Sequence, residues 1–139
     1  MNLLLVEDNP GDVRLTQEAL MQNELDLKLH VAFDGEQALD FLYKRAGYEN
    51  SPRPDLILMD INIPKYSGIE VLEKIKGDPT LKKIPVVMLT TSDTNNDVSK
   101  CYELGANAYT IKPLDFENFI TMINSIYNFW FMNVKLPKD

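Results

Sequence analysis

The chain has 139 residues, of which 45% are hydrophobic, enough to fill the core of one domain of ordinary size. Its formal net charge of -7 argues against nucleic-acid binding, which usually needs a basic face. The single cysteine, Cys101, cannot form an internal disulfide, and no apolar run approaches the length of a membrane span. These features predict a cytoplasmic protein that forms one domain over residues 1–139.

Apolar runs alternate with amphipathic stretches five times along the chain. The predicted strands are, in order, 3–6, 27–32, 56–59, 86–89 and 106–111. The predicted helices are 12–24, 35–46, 67–77, 95–104 and 115–131. Because strands and helices alternate, the pattern predicts an α/β fold with a parallel sheet joined by right-handed crossovers.

Three carboxylates stand at the ends of predicted strands. Glu7 and Asp8 follow the first strand, and Asp60 follows the third. Since the carboxyl ends of parallel strands share one edge of a sheet, we expect these acids to lie close together. Acids without a glycine-rich loop would repel a bare phosphate, whereas clustered oxygens suit Mg²⁺. Helix capping in solvent would explain Glu7 and Asp8 alone, but Asp60 favours a metal site.

Two further strand ends carry polar groups. Thr90 ends the fourth strand, where its hydroxyl can donate to a phosphoryl oxygen, and Lys112 ends the fifth, just before Pro113. The ammonium of Lys112 can pair with Asp60 or with a phosphoryl group bound to it. Aspartate carboxylates can act as nucleophiles toward phosphoryl groups. The five positions together predict that Asp60 accepts a phosphoryl group beside Mg²⁺.

This constellation resembles the receiver domains of two-component response regulators, the CheY-like superfamily, over essentially the whole chain. The matching positions are Glu7, Asp8, Asp60, Asn62, Pro64, Gly68, Thr90, Tyr109, Lys112 and Pro113. The resemblance implies a flavodoxin-like fold with strand order 2-1-3-4-5 and a sensor histidine kinase as partner. It also implies a phosphoacceptor signalling protein with no output domain, whose only chemistry is its own phosphotransfer and dephosphorylation.

The resemblance also assigns roles within the site. It implies Mg²⁺ bound by Asp8, Asp60 and the backbone carbonyl of Asn62, with Glu7 acting partly through water. Tyr109 matches the family's switch aromatic, which moves inward when Thr90 shifts; a plain half-buried strand residue is the alternative. The Lys112–Pro113 bond is usually cis in the family. Asn62 and Ser92 occupy the positions that tune the lifetime of the phosphoryl group.

Within the family, the chain resembles the small stand-alone regulators of bacterial phytochrome kinases. Three stretches carry this narrower resemblance, namely the loop ending in Pro52-Arg53-Pro54-Asp55-Leu56, the segment Gly77-Asp78-Pro79-Thr80-Leu81, and Phe129-Trp130. They predict a phytochrome-type kinase as the partner, although such loops also occur in regulators of other sensors.

The last helix carries more apolar surface than one core requires. One predicted stripe, which should face the sheet, consists of Phe119, Met122, Ile123, Ile126 and Trp130. A second stripe consists of Phe116, Ile120, Tyr127 and Phe131. The excess predicts a homodimer through the face formed by helix four, strand five and helix five, unless the C-terminal tail covers it.

Two other classes of protein were weighed. A phosphatase of the haloacid dehalogenase type needs an acid two residues after its nucleophile, and Asn62 stands there. A flavodoxin-like electron carrier is disfavoured by the acidic loop after the first strand. Turnover of a phosphomonoester and bound flavin colour would separate these alternatives from a signalling module.

Overall fold

The computed structural model describes residues 1–21 and 27–138. Its strands are β1 Asn2–Val6, β2 Lys28–Ala32, β3 Leu56–Met59, β4 Val86–Thr90 and β5 Ala108–Ile111. Its helices are α1 Pro10–Met21, α2 Gly35–Tyr43, α3 Gly68–Gly77, α4 Asn95–Glu103 and α5 Phe116–Tyr127, with a π-helical segment Asn128–Asn133 following α5. The five strands pair in parallel in the order β2-β1-β3-β4-β5, which confirms the predicted doubly wound, flavodoxin-like α/β fold.

The sheet is covered on both faces, and strand periodicity divides its side chains between two cores. On one side, Leu4 and Ile57 pack with α2, α3 and α4. On the other, Leu3 and Leu58 pack with α1 and α5. This two-sided burial explains the continuous apolar runs 3–6, 56–59 and 86–89 within β1, β3 and β4.

Local signals explain where the helices begin. Pro10 stands at the first position of α1, where its missing N–H costs nothing, and the side chain of Asn9 accepts a hydrogen bond from Asp12 N (3.1 Å). Helix α1 therefore begins two residues before the predicted start at 12. The predicted end of this helix at 24 lies outside the described residues. In α2, the cap residue Asp34 accepts from Gln37 N (2.7 Å).

The C-terminal helix departs from the simple projection. Its most buried residues are Phe119, Ile123, Tyr127 and Phe131. The prediction placed Tyr127 and Phe131 outside the stripe that faces the sheet, and that assignment was wrong. The turn widens to a π-helix after Tyr127, so a register of 100° per residue no longer applies to Phe131.

Two further observations bear on the predictions. No helix within residues 1–21 and 27–138 combines the length and apolar character that crossing a membrane requires. The Lys112–Pro113 peptide bond is trans, unlike the cis bond that the family resemblance implies.

Candidate phosphorylation and metal site

The acidic cluster forms where β1 and β3 end side by side. Val6 lies opposite Met59 in the parallel register, and Asp60 N donates to Val6 O (3.0 Å), so Asp60 emerges next to Glu7 and Asp8. One carboxylate oxygen from each of Glu7, Asp8 and Asp60 lies within 4.8 Å of the others. Glu7 and Asp60 are buried, whereas Asp8 is exposed. Of the three acids, Asp8 is therefore the one most accessible to solvent.

Lys112 reaches into this cluster from the end of β5. Its backbone N donates to Thr90 O (2.8 Å), which extends the pairing of β4 with β5 beyond the strand itself. Its ammonium contacts Glu7 Oε1, Asp12 Oδ2 at 2.9 Å and Asp60 Oδ2 at 3.1 Å. One buried cation is thus shared among three carboxylates.

Burial and charge set the protonation of this group. Burial raises the pKa of Glu7 to about 7; its hydrogen bond with Lys112 opposes the rise, and the charge of Asp60 adds to it. Burial alone would lower the pKa of Lys112, but hydrogen bonds to Glu7 and Asp12 and the nearby acidic charges raise it overall above 10.5. The acidic surroundings therefore favour the cationic form of Lys112, and burial favours the protonated form of Glu7.

Asp12 belongs to this site, although the sequence reasoning gave it no role. It lies in the first turn of α1, and its carboxylate is a direct partner of Lys112. Pro10 is the sequence signal that could have predicted this role. A helix that begins at Pro10 has Asp12 in its first turn, close to the ends of the strands. Pairing with Lys112 keeps Asp12 facing the cluster.

The loop after Asp60 is held against the end of β3. Asp60 Oδ1 accepts from Ile61 N (2.7 Å), and Gly68 N donates to Ile61 O (2.8 Å). A Cβ on Gly68 would lie 2.0 Å from Asp60 O, so only glycine allows α3 to begin this close. Asn62 is exposed on the same loop, two residues beyond Asp60.

Thr90 and Tyr109 lie on the β4–β5 side. Thr90 is completely buried at the end of β4, and its Oγ1 accepts from Ser92 N (3.3 Å). Tyr109 is half-buried against the core, and its hydroxyl donates to Ser92 O (2.8 Å). Both predicted residues thus meet at Ser92, in the loop between β4 and α4, rather than within the acidic cluster.

The donor set fits a divalent cation. The three clustered acids offer hard oxygen ligands, which Mg²⁺ and Mn²⁺ prefer to nitrogen or sulfur. Carboxylates outnumber the single ammonium of Lys112, so excess negative charge is left for a second cation to neutralise. Burial is the main cause of the raised pKa of Glu7, and the nearby charge of Asp60 adds to it.

The fold and this site define a class of protein. A buried aspartate at the end of β3, flanked by two acids after β1 and a lysine after β5, is the arrangement of a receiver. The family model for the response regulator receiver domain matches residues 3–124, and the chain belongs to that family.

Particular relatives narrow the comparison. The chain is 47% identical over 135 residues to the response regulator Rcp1 of Synechocystis sp., covering 97% of this chain and 92% of that protein. The structure of Mn(2+)-bound Rcp1 covers 99% of both chains with a TM-score of 0.95. That of the phosphorylated cyanobacterial phytochrome response regulator RcpA is 42% identical, with a TM-score of 0.96, and covers 99% of this chain and 98% of its own.

These findings confirm the predicted family, and they do not support the phosphatase alternative. The protein is a receiver-domain signalling protein of a two-component system, a class whose partner is a histidine kinase and which binds a divalent metal. The similarity to RcpA also confirms that the resemblance extends to a regulator of the phytochrome group.

Proposed function

We propose that the chain accepts a phosphoryl group on Asp60 from the phosphohistidine of a sensor kinase, with Mg²⁺ as cofactor. The observation that carries this proposal is the convergence of Glu7, Asp8 and Asp60 within 4.8 Å, with Lys112 Nζ 3.1 Å from Asp60 Oδ2. A lone buried carboxylate would be a poor nucleophile and a poor host for a phosphate. A carboxylate beside the fixed ammonium of Lys112 can act as the nucleophile and can also retain the phosphoryl group.

In the proposed reaction, a carboxylate oxygen of Asp60 bonds to phosphorus as the P–N bond to the kinase histidine breaks. Lys112 then pairs with the new phosphoryl oxygens, and the Thr90 hydroxyl donates to one of them. Mg²⁺ held by Glu7, Asp8, Asp60 and the Asn62 backbone carbonyl would neutralise part of the phosphoryl charge. Water later cleaves the acyl phosphate, restoring the carboxylate; Asn62 and Ser92 stay the predicted tuning positions for that step.

Asp60→Asn tests the proposal against a matched variant, Asp55→Asn. These two aspartates flank β3, and Asp55 lies at the opposite end, where its Oδ2 accepts from Asn2 N (2.8 Å). With acetyl phosphate and Mg²⁺, wild type and Asp55→Asn should form an acid-stable, base-labile phosphoprotein detectable by intact-mass spectrometry. Asp60→Asn should form none. Equal labelling of Asp60→Asn would refute the assignment.

The kinase is proposed to be of the phytochrome type. The support is the similarity to Rcp1 and RcpA along nearly their full lengths. Two of the three stretches singled out in the sequence also contact each other, since Arg53 Nη1 donates to Thr80 O (2.6 Å). Phosphotransfer to this chain should be faster from a phytochrome kinase than from a sensor kinase without a chromophore domain; equal rates would remove the assignment.

We also propose that signalling proceeds through protein contacts, beginning with a homodimer formed by α4, β5 and α5. Three apolar side chains on these elements are exposed, namely Tyr102 by 50%, Ile111 by 43% and Phe116 by 61%. Strand β5 lies at the edge of the sheet, where an apolar side chain invites self-association.

Sedimentation with Mg²⁺ and beryllium fluoride, a phosphoryl mimic, tests the dimer. Wild type should sediment as a dimer and Ile111→Lys as a monomer, with Leu114→Lys as a control that also places a charge on an exposed apolar side chain. A wild-type monomer at high concentration contradicts the proposal.

A cytoplasmic location is proposed because the kinase forms its phosphohistidine from ATP, and fractionation of cells would test it.

A further inference from the structure

Ser92 is held by three hydrogen bonds that come from three different elements. Its carbonyl accepts from the Tyr109 hydroxyl of β5 at 2.8 Å, and its backbone N donates to Thr90 Oγ1 of β4 at 3.3 Å. Its own hydroxyl donates to Asp97 Oδ2 of α4 at 2.5 Å. The loop between β4 and α4 is therefore fixed at one residue, and Asp97 supplies the only charged partner among these three bonds.

The start of α4 holds the Asp97 side chain toward Ser92. Thr94 caps this helix, and its Oγ1 accepts from Asp97 N (3.2 Å), which fixes the backbone that carries the carboxylate. Asp97 is half-buried, unlike Asp93 in the same loop. Its hydrogen bond from Ser92 Oγ shows that the carboxylate faces the β4–α4 loop. Burial raises the pKa of both Cys101 and Tyr109, and the nearby charge of Asp97 adds to both rises.

The bond between Ser92 and Thr90 determines what Thr90 can do. A hydroxyl has one hydrogen and two lone pairs, so accepting from Ser92 N occupies a lone pair and leaves the hydrogen of Thr90 to donate elsewhere. Thr90 is completely buried at the end of β4, and Asp60 directly follows the last residue of the neighbouring strand β3, Met59. A phosphoryl group on Asp60 is the acceptor that this hydrogen would serve.

We propose that Asp97 is a positioning residue for phosphoryl binding, which holds Ser92 so that the backbone N–H of Ser92 orients the Thr90 hydroxyl as a donor toward Asp60. This inference rests on the proposed phosphorylation of Asp60. In this proposal, α4 is linked to the site by a chain of hydrogen bonds that runs from Asp97 through Ser92 to Thr90. Loss of the carboxylate would free Ser92 to move and would weaken the grip on the phosphoryl group.

The affinity for beryllium fluoride in the presence of Mg²⁺, measured by calorimetry on the full chain, tests this role. A positioning bond to a charged acceptor predicts that Asp97→Ala weakens binding by about fivefold or more. Asp97→Asn keeps an acceptor oxygen and should recover most of the affinity. Asp93→Ala removes an equal charge from an exposed position and should bind as wild type does.

Three outcomes would overturn the proposal. These are unchanged affinity in Asp97→Ala, equal weakening in Asp97→Asn and Asp97→Ala, and equal weakening in Asp93→Ala, which would show only a general charge effect. A wild-type protein that fails to bind beryllium fluoride would instead refute the proposed function itself.

A purely structural role for Asp97 would lower stability without changing this affinity. Thermal unfolding of each variant therefore accompanies the calorimetry. Asp115→Ala, which removes the cap of α5 and touches neither Ser92 nor Asp97, is the structural control and should lower stability while leaving the affinity unchanged. If Asp97→Ala does not fold, Ser92→Ala removes the donor of the same bond. It should weaken binding to a similar degree, and unchanged affinity would overturn the proposal. In the double variant, the two effects should not add, because both break one bond.

Discussion

Two lysines bring their ammonium groups into the fold at opposite edges of the sheet, and their surroundings differ in charge. At the carboxyl edge, Lys112 is shared among Glu7, Asp12 and Asp60. At the amino edge, Lys76 donates to three neutral oxygens, Lys82 O, Ile84 O and Asn107 Oδ1, at 2.9–3.1 Å.

Both groups satisfy all three donors of an ammonium, yet the consequences are opposite. Burial lowers the pKa of Lys76 because no carboxylate offsets it, whereas the acidic partners raise that of Lys112 despite burial. Lys76 ties the end of α3 to the starts of β4 and β5, which is a structural task. Lys112 neutralises only part of the negative charge of its partners. The remaining charge can bind a metal cation, and Asp60 can accept a phosphoryl group. Hydrogen-bond satisfaction alone does not separate a structural lysine from a functional one; the charge of the partners does.

Helix α3 connects the two edges, and its terminal glycines give the largest expected contrast. At Gly68, Ala would bring Cβ to 2.0 Å from Asp60 O, a backbone atom that cannot move without displacing the phosphoacceptor. At Gly77, nothing lies within 4 Å of an added Cβ. Gly68→Ala should lower the free energy of unfolding by at least about 3 kcal/mol, whereas Gly77→Ala should raise it by up to about 1 kcal/mol. Urea unfolding of both variants checks this, and a Gly68→Ala protein as stable as wild type would show that the α3 start is loosely placed.

The lysines themselves give the next contrast. Lys112→Met should reduce the affinity for beryllium fluoride with Mg²⁺ by about thirtyfold or more, because a buried charged partner of the phosphoryl site is lost. Lys76→Met should leave that affinity unchanged and lower the free energy of unfolding by about 2 kcal/mol, because three carbonyl-type oxygens lose their donor. Calorimetry and urea unfolding of both proteins separate the two effects. A loss of affinity in Lys76→Met would mean that the two edges are coupled.

The alternating pattern predicted a parallel α/β sheet with Glu7, Asp8 and Asp60 at one edge, because apolar strands and strand-end acids are local signals. The order of the strands came from the family resemblance, since local patterns do not determine it. Asp12 and Asp97 escaped prediction for a common reason. Each is a first-turn acid, for which helix capping and favourable charge at an N-terminus are sufficient explanations in one dimension. Only the tertiary fold shows that Asp12 turns toward Lys112 and Asp97 toward Ser92. The burial of Phe131 was missed because the sequence does not reveal a π-helical turn.

A smaller expected effect is the contribution of Glu7 to the pH dependence of stability. Its pKa rises from 4.5 to about 7 in the fold, so between these values the folded state binds a proton that the unfolded chain has released. Stability without Mg²⁺ should therefore fall as pH increases from about 4.5 to about 7, and Glu7→Gln should remove that slope. Glu117→Gln, an exposed acid of α5, should keep it. Urea unfolding in the presence of a chelator across this range is the measurement, and an identical slope in Glu7→Gln would assign it to another group.

The smallest expected effect is a difference between Lys112 and Lys76 in how each changes the stability of the protein at alkaline pH. Lys112 has a pKa raised above 10.5, so its contribution to stability is complete below that pH and is lost as pH climbs through the folded value. Lys76 has a pKa lowered below 10.5, so the folded state releases its proton first and stability gains with pH in the window just below 10.5. Relative to wild type, Lys76→Met should lose a component of stability that rises with pH just below pH 10.5, and Lys112→Met should lose a component that falls with pH above it. Tyrosine ionisation affects every variant alike, so the differences isolate each ammonium. Slopes of the same sign in both variants would show that the charge of the partners does not distinguish the two edges.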